Sequence, residues 1–316
     1  MSELVARSES MREALRLAGR VAGTDANVLV TGESGAGKDA LAAYVHAKSK
    51  RAEGPFVKID CAALPGGLLE AELFGFERGA FTGATAAKPG RLEAAHKGTL
   101  VLDEIAHLSR DAQAKLLRVI ERREFERLGG RRTVRVDARL LALTNVDLDD
   151  AVRRRALRED LFYRLNVVRI HVAPLRERGE DVAPLAEKFL ETFAAKHGRR
   201  ARGFAPGALD VLAHYEFPGN ARELANIVER AVIVSDGARV AEEDLPEAVR
   251  TAARAHSRRA KRLTLAELEA EHVRDTLAFA GGNKSEAARL LGISRKNLYE
   301  KLARYQEGEE GKGGKG

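Results

Sequence analysis

Cysteine is almost absent from this sequence, since Cys61 is the only one in 316 residues. A single cysteine cannot form an intrachain disulfide, and it is too few for a cysteine-based zinc site. We therefore expect neither a disulfide framework nor a structural metal. Cys61 itself is interpreted as a small, buried core residue.

Long apolar runs are absent as well. No stretch approaches the roughly 20 apolar residues that cross a bilayer, and the opening residues, MSELVARSES, lack the apolar segment of a signal peptide. The chain is nevertheless 44% hydrophobic, which is enough apolar material for a sizeable core. These features predict a soluble, cytoplasmic protein of several domains that has no membrane partner.

Charge is unevenly distributed along the chain. The formal net charge is +7, and residues 251–305 contain 12 Lys and Arg against 6 Asp and Glu, so +6 of the total lies near the C-terminus. A basic end on a nearly neutral body is typical of nucleic-acid binding. A solvated basic tail is the alternative.

The periodicity of apolar residues, and the residues that interrupt it, divide the chain into segments. Over residues 1–171, short apolar runs such as NVLV, TLVLDE and ARLLALTN alternate with helical patterns, which predicts an α/β fold with a parallel sheet covered by helices on both faces. Over 172–247 only helical periods remain, and a small helical domain is expected. Residues 248–263 are predicted to be an exposed basic linker, 264–306 a three-helix domain and 307–316 a disordered tail.

A glycine-rich motif lies between an apolar run and a helical one. The segment GESGAGK, residues 32–38, fits the pattern G-x-x-x-x-G-K, in which backbone N–H groups converge on phosphate oxygens and the lysine reaches the outer phosphates. Asp39 stands where this pattern usually has Ser or Thr, so a Mg²⁺ ion would rely on phosphates, water and other carboxylates. The residues expected to hold the nucleotide are Gly32, Glu33, Ser34, Gly35, Ala36, Gly37, Lys38 and Asp39.

Two adjacent acids end another apolar run, GTLVLDEI. Like charges beside a core are costly, so their position indicates chemistry: Asp103 would orient Mg²⁺ or its waters, and Glu104 would polarise the attacking water. A further run, ALTN, ends in Thr144 and Asn145, which would hold the water or sense the terminal phosphate. The alternative for these two residues is a simple helix cap before Asp147.

Between the two nucleotide elements lies GAFTGA, residues 79–84. Together with GESGAGKD, GTLVLDEI, REDLFYRLNVV, PLRERGEDV and FPGNAREL, it resembles the AAA+ domain of the sigma-54-dependent transcription activators, the bacterial enhancer-binding proteins. The resemblance is collinear from Glu3 to Tyr305, and GAFTGA is its specific part because other AAA+ enzymes share only the nucleotide motifs. It implies a nucleotide-driven loop that contacts sigma-54 through Gly79, Ala80, Phe81, Thr82, Gly83 and Ala84.

The resemblance implies further roles. Arg158 and Arg164 match an arginine finger that reaches the nucleotide of a neighbouring subunit, where planar, permanently charged guanidinium suits a transferring phosphoryl group. Either arginine is otherwise an ordinary interface salt bridge. Arg222 matches a lid arginine that senses the terminal phosphate. Asp60 stands where the family often has Asn, a position that restrains Glu104 until the client protein is engaged, and a carboxylate cannot donate that amide hydrogen bond.

The basic C-terminal segment has a pattern of its own. In NKSEAARLLGISRKNLYEKLARY, apolar residues mark two helices, Gly292 permits the turn between them and Ser294 caps the second. The segment is similar to the Fis-type helix-turn-helix that closes the same activator family, with a generic three-helix interaction module as the alternative. DNA contacts are expected from Ser294, Arg295, Lys296, Asn297, Tyr299 and Lys301.

The motifs and the resemblance predict an AAA+ ATPase that uses ATP and Mg²⁺. It would form a homo-oligomer, from a dimer to a hexameric ring, on double-stranded DNA, and would remodel sigma-54 RNA polymerase holoenzyme to open promoters. The alternatives are a DNA-binding regulator without hydrolysis and an AAA+ enzyme with another client. Because the resemblance starts at Glu3, the sequence has no room for an N-terminal sensory domain, so either a separate regulatory protein controls the chain or the chain is a fragment.

Overall fold

The computed structural model describes residues 4–260 and 265–310, in two compact units that divide between Arg250 and Thr251. In this part of the chain, no helix has both the length and the apolar composition needed to cross a bilayer.

The strands are β1 (Val28–Thr31), β2 (Phe56–Asp60), β3 (Gly75–Phe76), β4 (Lys88–Pro89), β5 (Thr99–Asp103), β6 (Glu124–Glu126), β7 (Thr133–Arg135), β8 (Arg139–Thr144) and β9 (Val168–His171). The helices are α1 (Glu9–Ala22), α2 (Lys38–Ala47), α3 (Gly66–Phe74), α4 (Arg91–Ala94), α5 (Arg110–Arg122), α6 (Leu148–Arg153), α7 (Glu159–Leu165), α8 (Val182–His197), α9 (Pro206–Ala213), α10 (Asn220–Val234), α11 (Glu247–Ala260), α12 (Leu265–Phe279), α13 (Lys284–Leu290) and α14 (Arg295–Glu310).

A five-stranded parallel sheet organises the first unit. Its order is β2-β5-β8-β1-β9, and every pair in it is parallel. The continuous apolar runs form the three central strands, and all six residues of β8 are buried. Strands buried on both faces are rich in apolar residues along their whole length, and the parallel pairing of all five strands confirms the predicted sheet.

Helices cover both faces of this sheet. Successive strand residues point to opposite sides, and in β5 Leu102 packs with residues of α3 and α5 while Val101 packs with residues of α1 and α2. This arrangement confirms the predicted covering. Cys61, directly after β2, is buried as expected, and burial raises the pKa of its thiol to about 12.

A small helical lid follows β9, as predicted, with α9 and α10 both packing against α8. The sequence predicts an exposed linker over 248–263, but α11 runs through this segment to Ala260, and Val249 and Ala253 are buried. The linker prediction is therefore corrected. Alanine and arginine dominate the segment, and both are strong helix formers.

The second unit begins within α11, and its helices α12 to α14 surround a small core that includes Val273, Ala288 and Leu298. Gly292 takes the left-handed conformation (φ 67°) that the turn needs, and Ser294 Oγ accepts the Asn297 N–H at 3.2 Å, so both predicted features are present. The predicted tail boundary at 307 is corrected, because α14 continues to Glu310; the three glutamates of this stretch favour a helix, although Gly308 does not. Residues 311–316 lie outside the described residues.

Candidate functional site

The glycine loop joins β1 to α2 at the carboxyl edge of the sheet. Gly37, the residue before α2, has φ 107°, and no described heavy atom lies within 4 Å of the point where its Cβ would stand. Lys38 is only 7% exposed, and its ammonium donates to the carbonyl oxygens of Gly32 (2.8 Å) and Glu33 (3.1 Å). Burial lowers the pKa of Lys38, although Glu104 and Asp103 oppose that effect. An open cradle at a helix N-terminus beside a lysine suits phosphate.

The two acids after β5 reach the same place. Asp103 is the last residue of the strand, and Glu104 follows in the left-handed region with φ 53°. Glu104 Oε1 lies 3.9 Å from Lys38 Nζ, while Oε2 accepts the Asn145 N–H at 3.2 Å. The ends of β1, β5 and β8 therefore bring the glycine loop, both acids and Asn145 together, as the carboxyl ends of parallel strands do in α/β folds.

Lys58 is a member of this cluster that the sequence motifs do not indicate. It lies on β2, and its Nζ contacts Asp103 Oδ2 at 2.7 Å and also the carboxylate of Asp39. Burial disfavours the charged amine, but the hydrogen bonds to Asp103 and Asp39 outweigh it and raise the pKa of Lys58. The sequence does contain one indication of this role: Lys58 lies two residues before Asp60, so both side chains lie on the same face of β2.

Two residues that the sequence predicted to act in the nucleotide site, Asp60 and Thr144, contact neighbouring backbone instead. Asp60 Oδ1 accepts the N–H of Ala62 at 2.9 Å, so the structure does not pair it with Glu104. Thr144 is buried, and its Oγ1 accepts the Val146 N–H at 3.1 Å. The cap of α6 is Asp147, so the alternative of a helix cap at Thr144 and Asn145 is wrong.

The lid reaches the glycine loop through two residues of α10. Arg222 donates to Ser34 Oγ at 2.8 Å, which places the predicted lid arginine at the loop. Asn220 is fully buried with φ 55°, and its side-chain amide donates to the Glu33 carboxylate and the Ser34 carbonyl, both at 3.0 Å. Its Oδ1 accepts the Leu175 N–H at 2.7 Å. Lid and loop are thus joined by direct hydrogen bonds.

An ion pair strengthens this junction. The guanidinium of Arg176 donates to both oxygens of Glu33, at 2.6 and 2.9 Å. These hydrogen bonds, with that from Asn220, lower the pKa of Glu33 to about 2. Arg176 and Asn220 belong to the motifs PLRER and GNAREL, but they lie too far from the loop along the sequence for the contact to be predicted.

A cleft of about 680 Å³ lies between loop and lid, a volume typical of small-molecule sites. Its walls therefore combine the glycine loop, the end of β8 and the start of α10. The lining residues are Glu33, Ser34, Asn145, Pro218, Gly219, Arg222, Glu223 and Asn226.

The GAFTGA loop projects between β3 and β4. Its base is closed by a hydrogen bond from the Gly79 N–H to the Ala84 carbonyl at 2.9 Å, and Ala84 is buried. Thr82 and Gly83 at the tip are exposed. Phe81 is 42% exposed and contacts the edge of the Phe76 ring, with centroids 4.9 Å apart. The tip therefore presents an aromatic and a hydroxyl side chain outward.

A second loop supports the first. The segment 127–132, which links β6 and β7, passes so close that a Cβ on Gly129 would lie 2.8 Å from Ala80 Cα. The Glu77 N–H also donates to the Leu128 carbonyl at 2.9 Å. The second loop thus contacts the base of the first and leaves its tip exposed.

The two candidate finger arginines lie at the ends of α7. Arg158 forms a double hydrogen bond with Asp160 at 3.0 and 2.7 Å, and Arg164 pairs with Glu121 at 3.1 Å. Neither lines the cleft of its own chain among the described residues. Arg164 is exposed, whereas Arg158 is half-buried.

The predicted DNA-binding residues divide into two groups. Arg295, Lys296, Asn297 and Tyr299 are exposed on α14, as is Ser294 at its start, and Lys284 stacks over the Tyr299 ring at 4.7 Å. Lys301 is half-buried and pairs with Glu269 of α12 at 2.6 Å. This ion pair joins two helices of the unit, and a DNA contact of Lys301 stays a prediction from the sequence.

Three family models match consecutive parts of the chain. The Sigma-54 interaction domain matches residues 4–171, the AAA+ ATPase lid domain matches 176–262, and the Fis family of bacterial regulatory proteins matches 264–305. Their order reproduces the expected sequence of an ATPase domain, a lid and a helix-turn-helix.

Curated relatives and solved structures agree with this assignment. Regulatory protein AtoC of Escherichia coli K12 is 42% identical over 311 residues, covering 96% of this chain and 67% of AtoC. Transcriptional regulatory protein ZraR of Klebsiella oxytoca is 47% identical, covering 95% of this chain and 68% of ZraR. The crystal structure of NtrX from Brucella abortus with ADP has a TM-score of 0.74 at 36% identity and covers 96% of this chain and 69% of NtrX; that with ATP has the same TM-score at 35%. The chain therefore belongs to the sigma-54-dependent transcription activators, as an AAA+ ATPase that carries a Fis-type DNA-binding domain.

Proposed function

We propose that ATP hydrolysis in the cleft moves the GAFTGA loop against sigma-54 and so drives promoter opening by RNA polymerase holoenzyme. The chain is an ATP-dependent transcription activator that binds DNA. The residue roles are supported by one observation above all, the meeting of Lys38, Glu104 and Asn145 beside a cleft that Arg222 also lines. DNA and RNA polymerase are cytoplasmic in bacteria, and we propose that location here.

The contacts assign a role to each group. Loop N–H groups and Lys38 bind the phosphates, and Arg222 closes on them from the lid. Glu104 is fixed on one side by the Asn145 N–H, which leaves its other oxygen to accept a hydrogen bond from the attacking water. Holding the water in line is the main task of such a residue, because phosphoryl transfer depends on positioning and electrostatics.

The donor set fits Mg²⁺. Asp39, Asp103 and Glu104 bring carboxylate oxygens, the ligands that Mg²⁺ prefers, to the loop. We propose that Asp103 holds the ion, directly or through water. When bound, Mg²⁺ neutralises charge on the phosphates.

The hydrolysis test is Glu104→Gln in the whole chain. The variant should bind ATP with an affinity near that of the parent and lose at least about 100-fold in turnover, because the amide accepts a proton poorly. Glu53→Gln, an exposed glutamate outside the cleft, serves as the control and should hydrolyse ATP normally. Hydrolysis by Glu104→Gln at the parental rate would remove Glu104 from this role.

We propose that the chain forms a ring, up to a hexamer, in which one of these arginines acts on the nucleotide of a neighbouring subunit. A finger that acts across an interface cannot help an isolated subunit, so specific ATPase activity should rise with protein concentration. Mixing Arg164→Ala with Lys38→Ala subunits should restore activity, because one supplies an intact site and the other an intact finger; Arg158→Ala is tested in the same way. Activity that is independent of concentration, with no complementation by either arginine variant, would contradict catalysis between subunits.

DNA recognition is proposed for the start of α14. Arg295→Ala and Asn297→Ala should relax sequence preference if these side chains face bases, whereas Lys301→Ala should weaken binding to all sites about equally if its ammonium faces phosphate. Gel shifts with competitor DNA separate the two effects. That a separate regulatory protein supplies the activating signal stays a prediction from the sequence.

A further inference from the structure

Lys58 joins two acids that belong to different elements of the nucleotide site. Its ammonium contacts Asp103, at the end of β5, and Asp39, in the first turn of α2. β2 and β5 are paired in parallel with Asp60 opposite Asp103, so the long lysine side chain extends along the strand to reach the carboxylate. This contact is distinct from those of Lys38, which donates to the loop carbonyls.

Asp39 creates an electrostatic problem. The N-terminus of α2 attracts anions, and there the phosphates of a nucleotide and the Asp39 carboxylate occupy the same region. An uncompensated carboxylate directly after Lys38 would repel the phosphates. Lys58 draws this carboxylate into an ion pair and supplies a second positive charge beside Lys38.

We propose that Lys58 is a positioning residue of the nucleotide site, which compensates the charge of Asp39 and holds Asp103 at the strand end so that the loop accepts an anionic nucleotide. This inference rests on the proposed function of the cleft. It gives Lys58 a role in affinity that acts through Asp39, without contact to the nucleotide.

An ordinary surface ion pair would behave differently. Exposed pairs contribute little and leave binding elsewhere unchanged. Lys58 and Asp39 are exposed, but Lys58 bridges two carboxylates at once and Asp103 is only 16% exposed, so removal of the ammonium leaves two acids uncompensated at the cradle. The predicted effect is therefore on nucleotide affinity.

The test measures the affinity of the whole chain for a fluorescent ADP analogue in EDTA, so that no metal contributes. Lys58→Met should weaken binding about ten-fold, equivalent to about 1.4 kcal/mol. Lys58→Arg should stay near the parent because it keeps the charge, and Asp39→Asn added to Lys58→Met should restore most of the loss. The matched control is Lys50→Met, at an exposed lysine outside the site.

Asp39→Asn alone is the second variant, and it does not depend on the folding of Lys58→Met. It should tighten ADP binding, because the charge of Lys58 then acts on the phosphates. Unchanged affinity in Lys58→Met, absence of recovery in the double variant, or weaker binding by Asp39→Asn would each overturn the inference. If Lys38→Ala abolishes ADP binding while Lys58→Met does not affect it, only the role of Lys58 fails; if Lys38→Ala binds ADP normally, the proposed function of the cleft fails as well.

Discussion

The nucleotide cleft and the GAFTGA loop are held in different ways. In the cleft, side chains from the glycine loop, the strand ends and the lid hold one another, as Glu33 does with Arg176 and Asn220. In the GAFTGA loop, backbone hydrogen bonds and one ring contact shape the base, while Thr82 at the tip is exposed. The cleft is therefore held by side-chain contacts within the chain, whereas the Thr82 side chain at the loop tip is exposed.

This difference separates two kinds of mutational effect. A change in the cleft disturbs several partners at once, so chemistry and stability change together. A change at the loop tip removes few contacts within the chain, so its effect is confined to the encounter with another protein. The following measurements test that separation.

Lys38→Ala is expected to have the largest effect. Removing a buried cation that faces the phosphates should lower ATP affinity by at least about 100-fold and abolish hydrolysis, since charged hydrogen bonds are roughly twice as strong as neutral ones. Equilibrium binding of a fluorescent ATP analogue measures the loss, with Lys50→Ala as the control. Parental affinity in Lys38→Ala would mean that the cleft is not organised around this lysine.

Thr82→Ala tests the loop tip, where an effect on partner binding alone is expected. The exposed side chain supports little of the fold, so ATPase activity should stay within about two-fold of the parent and stability within about 0.5 kcal/mol. Binding to sigma-54 with a transition-state analogue, and open-complex formation, should both be lost. If promoter opening persists in Thr82→Ala, the loop tip is not the contact.

Asn220→Ala should lower the free energy of unfolding by about 2 kcal/mol, because it leaves the buried Leu175 N–H without its acceptor. The left-handed backbone at this position also disfavours alanine. Urea unfolding measures the change. Asn226→Ala, an exposed asparagine on the same helix, should stay within about 0.5 kcal/mol of the parent, and an equal loss in both variants would count against this role of Asn220.

The Glu33–Arg176 pair predicts a smaller effect that depends on pH. The folded-state pKa of Glu33 is about 2, below the ordinary 4.5, so its contribution to stability is complete above about pH 4.5 and is lost as pH falls toward 2. Both side chains are 42% exposed, and solvent screening keeps the contribution modest. The difference in urea midpoint between the parent and Glu33→Gln should therefore be the same at pH 7 and pH 6 and smaller at pH 4. A difference that grows on acidification would contradict this linkage.

The sequence predicted the elements of the site better than their connections. Continuous apolar runs predicted the buried strands, and the glycine loop, Asp103 and Glu104 lie where strand ends should place them, because local pattern and chain order determine these features. The lid junction of Glu33 with Arg176 joins residues more than 140 positions apart, so tertiary packing alone creates it.

Other differences have local causes. Lys58 was missed because its role depends on the reach of a long side chain from a neighbouring strand. The linker prediction failed because composition was read as exposure, although alanine and arginine favour a helix. Lys301 pairs with Glu269 of α12, a contact that the sequence pattern did not indicate.

The contact between Gly35 and the lid has a mechanical consequence. A Cβ at Gly35 would lie 2.4 Å from the Gly219 carbonyl oxygen, and the Gly35 carbonyl accepts the Ala221 N–H at 3.1 Å. Backbone therefore meets backbone, with no rotatable side chain between them to absorb a displacement. We therefore expect a small rotation of the lid to displace the phosphate loop directly, and the reverse.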